Sequence, residues 1–137
     1  DGGSGSGRRG STRMNIIVAS SDSTLRRSLA DLLSGSSTQV RTTPKSGELI
    51  CWVLDSEVDL IVADVDLVGM DGAETLPILR QIRPKAPIIM LSSDTSEEVS
   101  RRIAEIGVFY HFVKPVDPSD MLQVVRAVKS GAGIHAS

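Results

Sequence analysis

"DLIVADVDLVGMDGAETLPILR" runs from Asp59 to Arg80. Leu60 to Ala63 are apolar without interruption, the pattern of a strand buried on both faces at the centre of a parallel sheet. The run stops at Asp64. The loop "VDLVGMDG" follows, and then Leu76, Leu79 and Ile82 recur at helical spacing up to about Arg83. Strand, loop and helix in that order make one βα unit. Pro77 falls inside the helix and removes a backbone donor, which predicts a late start or a kink.

Four similar units surround it. "MNIIVAS" reads as a buried strand. It leads into a helix over Ser23 to Leu33 with Leu25, Leu29, Leu32 and Leu33 on one side, capped by Ser21, Asp22 or Ser23. "TQVRTT" is a second strand, followed by a helix from Pro44 and Ser46 to about Leu54. "APIIMLSS" is the fourth strand, with a helix over Glu97 to Ile106. "YHFVKP" is the fifth, with a helix from Ser119 to about Lys129. Alternating strands and helices imply an α/β fold, a five-stranded parallel sheet of doubly wound (βα)5 type. The domain is expected over 14–130. "DGGSGSGRRGSTR" before it has no apolar residue and is read as a flexible tag or linker, and "GAGIHAS" after it as a frayed tail.

The bulk numbers exclude several classes. The 137 residues are 40% apolar and 23% charged with a formal net charge of -2, so nothing draws the domain to nucleic acid or anionic lipid. Aromatic residues are 3%, too few for a base-stacking platform. The apolar runs are far shorter than a membrane span. The only cysteine, Cys51, sits in "LICWVLD" among apolar neighbours and is expected to be buried and inert. A reducing cytoplasmic setting fits.

Sites in doubly wound sheets lie beyond the C-terminal ends of the strands. Those ends carry Ser20-Ser21-Asp22, Asp64 to Asp66, Ser92-Ser93 and Lys114-Pro115. A carboxylate, a hydroxyl and an ammonium converging there suit a phosphoryl group. The carboxylate accepts it, and the other two hold its oxygens. "GMDG" lacks the spacing of a P-loop. No nucleophile–base pair is evident, so an enzyme acting on a diffusible substrate is not expected.

Taken together, "DLIVADVDLVGMDG", "IIMLSS", "FVKP" and "STLRRSLADLL" resemble the response-regulator receiver domain of two-component signalling, from Met14 to about Lys129. The resemblance implies a flavodoxin-like receiver fold. It places Asp64 at the phosphoacceptor position, Ser92 at the switch hydroxyl, and Lys114 at the lysine that precedes a cis proline. It also implies Mg²⁺ held by the acceptor and two adjacent acids. Here those two acids are Ser20 and Ser21, which removes two negative charges from a site for a hard cation. Mg²⁺ is therefore expected to bind weakly or not at all. Asp22 and Asp66 are the remaining candidate ligands beside Asp64, although Asp22 is better placed as a helix N-cap.

His111 stands at the family's aromatic switch position. It could rotate, form a surface contact, or titrate near neutral pH. Strand alternation favours an outward side chain, with Phe112 in the core. In this family the fourth helix, fifth strand and fifth helix typically form the partner face, and Arg101, Arg102, Glu105 and His111 are candidates on it. The resemblance thus implies an atypical receiver with impaired phosphorylation, acting by protein–protein contact with a histidine kinase or an output protein or domain. The alternative is a Mg²⁺-dependent phosphoacceptor at Asp64. A homodimer is compatible with either.

Overall fold

The computed structural model describes residues 13–93 and 96–131. The two terminal segments read as linker and tail, with His135, lie outside the described residues except for Arg13 and Gly131. The elements follow in strict alternation: β1 (Met14–Ala19), α1 (Ser23–Leu33), β2 (Thr38–Thr43), α2 (Ser46–Asp55), β3 (Leu60–Asp64), α3 (Gly72–Ile82), β4 (Ile88–Ser92), α4 (Glu97–Ile106), β5 (Tyr110–Val113) and α5 (Pro118–Ser130). The strands form one parallel sheet in the order β2-β1-β3-β4-β5. This is the flavodoxin-like, doubly wound order expected from the sequence.

Strand alternation divides the core in two. Ile16, Val18, Leu60, Val62, Ile89, Leu91 and Phe112 point to one face, where Leu29 and Leu33 of α1 and Met121, Val124 and Val125 of α5 cover them. Ile17, Ala19, Ile61, Ala63, Ile88 and Met90 point to the other, under Leu49 and Val53 of α2, Leu76 and Leu79 of α3 and Ile103 of α4. Each helix presents one apolar stripe because its leucines, valines and isoleucines recur every three or four residues.

Caps fix where the helices begin. Asp22, Asp71, Ser96 and Asp117 each accept a backbone N–H of the first turn of α1, α3, α4 and α5. α5 opens with Pro118, one residue before the expected Ser119, and closes on the left-handed Gly131. α3 starts at Gly72, well before Pro77, so the late start is not found. Pro77 is exposed within the helix and supplies no donor for the Ala73 carbonyl. Cys51 also departs from expectation. It is exposed, because one residue along a helix turns the side chain by about 100° and Leu49 and Val53 take the inward positions.

The strand order reverses between β1 and β3, which run side by side with Ala19 opposite Ala63. The crevice beyond their C-terminal ends therefore opens over Ser20 and Asp64.

Candidate functional site

Asp64 closes β3 and is fully buried. A buried carboxylate requires partners for its charge. It has three. Lys114 Nζ donates to Oδ2 at 2.6 Å, Ser20 Oγ donates to the same oxygen at 2.7 Å, and the Asp66 amide donates to Oδ1 at 3.0 Å. Lys114 follows β5 and retains only 18% side-chain exposure, so the ion pair is largely shielded from water. Its ammonium also lies 3.6 Å from Asp66 Oδ2, a weaker contact because that side chain is 60% exposed. The Lys114–Pro115 peptide bond is cis.

Ser20 is buried with both faces of its hydroxyl in use. Oγ donates to Asp64 and accepts the Asp22 amide at 3.1 Å. Its backbone is pinned as well: the amide donates to the Thr43 carbonyl and the carbonyl accepts Arg26 Nη1 at 2.7 Å. The Ser21 amide donates to the Asp66 carbonyl, stitching β1 to the loop after β3, while the Ser21 side chain is exposed. Asp22 turns to α1, with Oδ1 accepting the amides of Thr24 and Leu25. Ser20 therefore supplies a hydrogen-bond donor to Asp64, which an ionised carboxylate at the same position could not do.

The loop that carries Asp66 is held from two sides. Val68 exchanges backbone hydrogen bonds with Pro44 and Ser46, and Ser46 Oγ accepts the Met70 amide. The α3 entry is packed so closely that a Cβ on Gly72 would fall 2.2 Å from the Asp64 carbonyl oxygen. Only glycine fits there.

Ser92 ends β4 and is buried. Its Oγ lies 2.8 Å from His111 Nε2. His111 is thus not the outward-pointing residue that alternation suggested. It does lie opposite Phe112, but both faces of this sheet are covered by helices, and burial lowers its pKa below the ordinary histidine value. Arg101, Arg102 and Glu105 stand apart on α4, all exposed, and Arg102 pairs only loosely with Glu98 at 4.0 Å.

Sequence reasoning missed Arg80. Its guanidinium donates to the carbonyls of Arg83, Pro84, Ala86 and Gly107, joining the α3 exit to the α4 exit. Burial also lowers its pKa. A lone arginine near a helix C-terminus gives no sequence signal for such a cage.

The sequence profile of the response regulator receiver domain matches residues 16–126. The chain belongs to this family. Receiver domains are signalling modules that bind Mg²⁺ at the phosphorylation site and interact with histidine kinases and output domains. The DNA-binding transcriptional regulator NtrC of Azospirillum brasilense is 34% identical over 116 residues, which cover 84% of this chain and 24% of that protein. The chain therefore spans about a quarter of the length of the NtrC regulators that it matches. A CheY-like receiver domain protein from Methanospirillum hungatei shares the fold with a TM-score of 0.82 at 24% identity, covering 87% of this chain and 95% of that one. A response regulator from Burkholderia pseudomallei, solved with a phosphorylated aspartic acid and a calcium ion, shares it with a TM-score of 0.74 at 19% identity, covering 87% and 70%.

Among the described residues, the carboxylates that could meet a Mg²⁺ ion at the strand ends are Asp64 and Asp66, the two acids in contact with the Lys114 ammonium. Mg²⁺ wants an octahedral set of oxygens, with carboxylates among them. Among the described residues no group of three Asp, Glu, His or Cys could hold a metal ion. Asp64 Oδ2 is already shared by an ammonium and a hydroxyl. No helix among the described residues is long and apolar enough to cross a membrane.

Proposed function

We propose that this is an atypical receiver domain whose Asp64 is a poor phosphoacceptor, and that it signals in the cytoplasm through protein–protein contact rather than by enzymatic turnover. The carrying observation is the Ser20 Oγ to Asp64 Oδ2 hydrogen bond, made where the family has an acid. Phosphoryl transfer to a carboxylate needs a free oxygen to attack and cationic charge to offset the incoming phosphoryl oxygens. Here the Lys114 cation is already engaged with the carboxylate in its resting form, and the hydroxyl caps the same oxygen. Both contacts favour the unmodified side chain. The partner surface proposed is α4–β5–α5, with Arg101, Arg102 and Glu105 exposed for contact with a kinase or an output domain.

The test is intact mass after incubation with a small-molecule phosphodonor and Mg²⁺. The unaltered chain should gain little or no phosphoryl adduct. The double substitution Ser20→Asp with Ser21→Asp should gain one, and a further Asp64→Asn should remove it. A full adduct on the unaltered chain that disappears in Asp64→Asn would overturn the proposal and establish the working phosphoacceptor.

A further inference from the structure

The Ser92–His111 contact is independent of whether Asp64 accepts a phosphoryl group. Ser92 is the buried hydroxyl at the end of β4, next to the strand that ends in Asp64. Its Oγ is 2.8 Å from a ring nitrogen that can either accept or donate. A serine hydroxyl rotates to suit its partner, so the ring decides which way the hydroxyl hydrogen points. Imidazole nitrogen is the stronger base of the two, and an alcohol O–H is a good donor. The best-matched neutral pair is therefore O–H to Nε2, with the ring hydrogen on Nδ1.

We propose that His111 is a positioning residue for the Ser92 hydroxyl, and that a proton on its ring reverses the polarity of their hydrogen bond. In the neutral ring, Nε2 accepts and Ser92 donates. When a proton from solvent adds to Nε2, that nitrogen becomes a donor and Ser92 Oγ its acceptor. No serine bond breaks. The hydroxyl hydrogen turns away from the ring, toward an oxygen elsewhere at the strand ends. β4 and β5 then register pH through a hydrogen bond rather than through a new ion pair.

The surroundings fit such a device. His111 lies opposite Met90 of β4, whose side chain shares a core cluster with Ile103 of α4. α4 turns Val99, Ile103 and Ile106 to the core, and its charged Glu97, Glu98, Arg101, Arg102 and Glu105 are all exposed. The charged residue nearest along the chain, Lys114, is paired with Asp64. Burial sets the pKa of His111, lowering it, so the ring is neutral at neutral pH and gains its proton only in acid.

The nitrogen-labelled 137-residue chain would be titrated between about pH 5 and 8 while the histidine ring nitrogens and the backbone amides are followed by NMR. His135→Gln leaves one histidine to observe. At about pH 7.5 Nε2 should carry no hydrogen, and the Leu91 to Ser93 amides should move with the midpoint of His111, below the ordinary histidine value. Ser92→Ala should shift the ring toward the Nε2–H tautomer and uncouple those amides. Ser92→Thr, which keeps the hydroxyl, should restore both effects. An Nε2–H tautomer in the neutral unaltered chain, or β4 amides indifferent to the His111 midpoint, would overturn the proposal.

Discussion

Lys114 Nζ and Asp64 Oδ2 stand 2.6 Å apart at the ends of two strands that do not touch, with β4 between them. This pair bridges the mouth of the sheet. Its carboxylate is fully buried, whereas the lysine side chain keeps 18% exposure. Removing the lysine strands a buried negative charge with only Ser20 Oγ and one backbone amide as donors. Lys114→Met should therefore cost about 3 kcal/mol of folding stability near neutral pH. Asp64→Asn should cost less, because Lys114 still reaches water. Urea denaturation midpoints of the two variants test the order, and an equal loss would contradict it.

Arg80 predicts a stability effect far from the strand ends. Its guanidinium serves four backbone carbonyls that have no carboxylate to replace it. Lysine cannot span the same fork of acceptors. Arg80→Lys should lower stability by about 2 kcal/mol, comparable with losing charge-assisted hydrogen bonds. The His111 ring shifts should stay as in the unaltered chain. Thermal unfolding with the NMR titration separates the two readings.

Gly72 is limited by space. A methyl group there would meet the Asp64 carbonyl oxygen at 2.2 Å, and backbone has little room to give. Gly72→Ala should destabilise by about 3 kcal/mol and displace the β3 end. Amide shifts at Asp64, Val65 and Asp66 should change more than those in α5.

Folding should be linked to pH through His111. Burial lowers its folded-state pKa below the value of the unfolded chain, so the unfolded state takes up the proton first as pH falls. The contribution to stability is complete above about pH 6.5 and declines from there down to the folded pKa. His111→Gln removes the group and should flatten that part of the stability curve. Urea midpoints at neutral and mildly acidic pH, compared between the two proteins, give the measurement. A parallel decline in both would assign the pH dependence to other residues.

The architecture was legible because its signals are periodic. Leu60 to Ala63 are buried on both faces of the sheet, and the leucines of α1 recur at helical spacing, so each strand and helix announced itself. Asp64 and Lys114 were legible because carboxylate and ammonium stand at strand ends, where the fold makes its crevice. What escaped was direction. Cys51 has apolar neighbours in sequence, but in a helix those neighbours face elsewhere. His111 alternates away from Phe112, yet it is half-buried and its ring reaches Ser92 of the neighbouring strand. The Arg80 cage depends on where three chain segments end in space, which no local pattern encodes.

Ser20 gives its hydrogen to Asp64 and takes one from the amide before the α1 cap. A single Ser20→Asp change would withdraw that hydrogen from Asp64 and set a second negative charge against it, although the new carboxylate could still accept the Asp22 amide. Each loss stands alone unless a cation arrives at once. Around this site, then, the sequence landscape slopes down in the direction of the ordinary family pattern. Drift toward a carboxylate at Ser20 by one substitution at a time is therefore resisted, and such a change would need a cation or a second substitution alongside it.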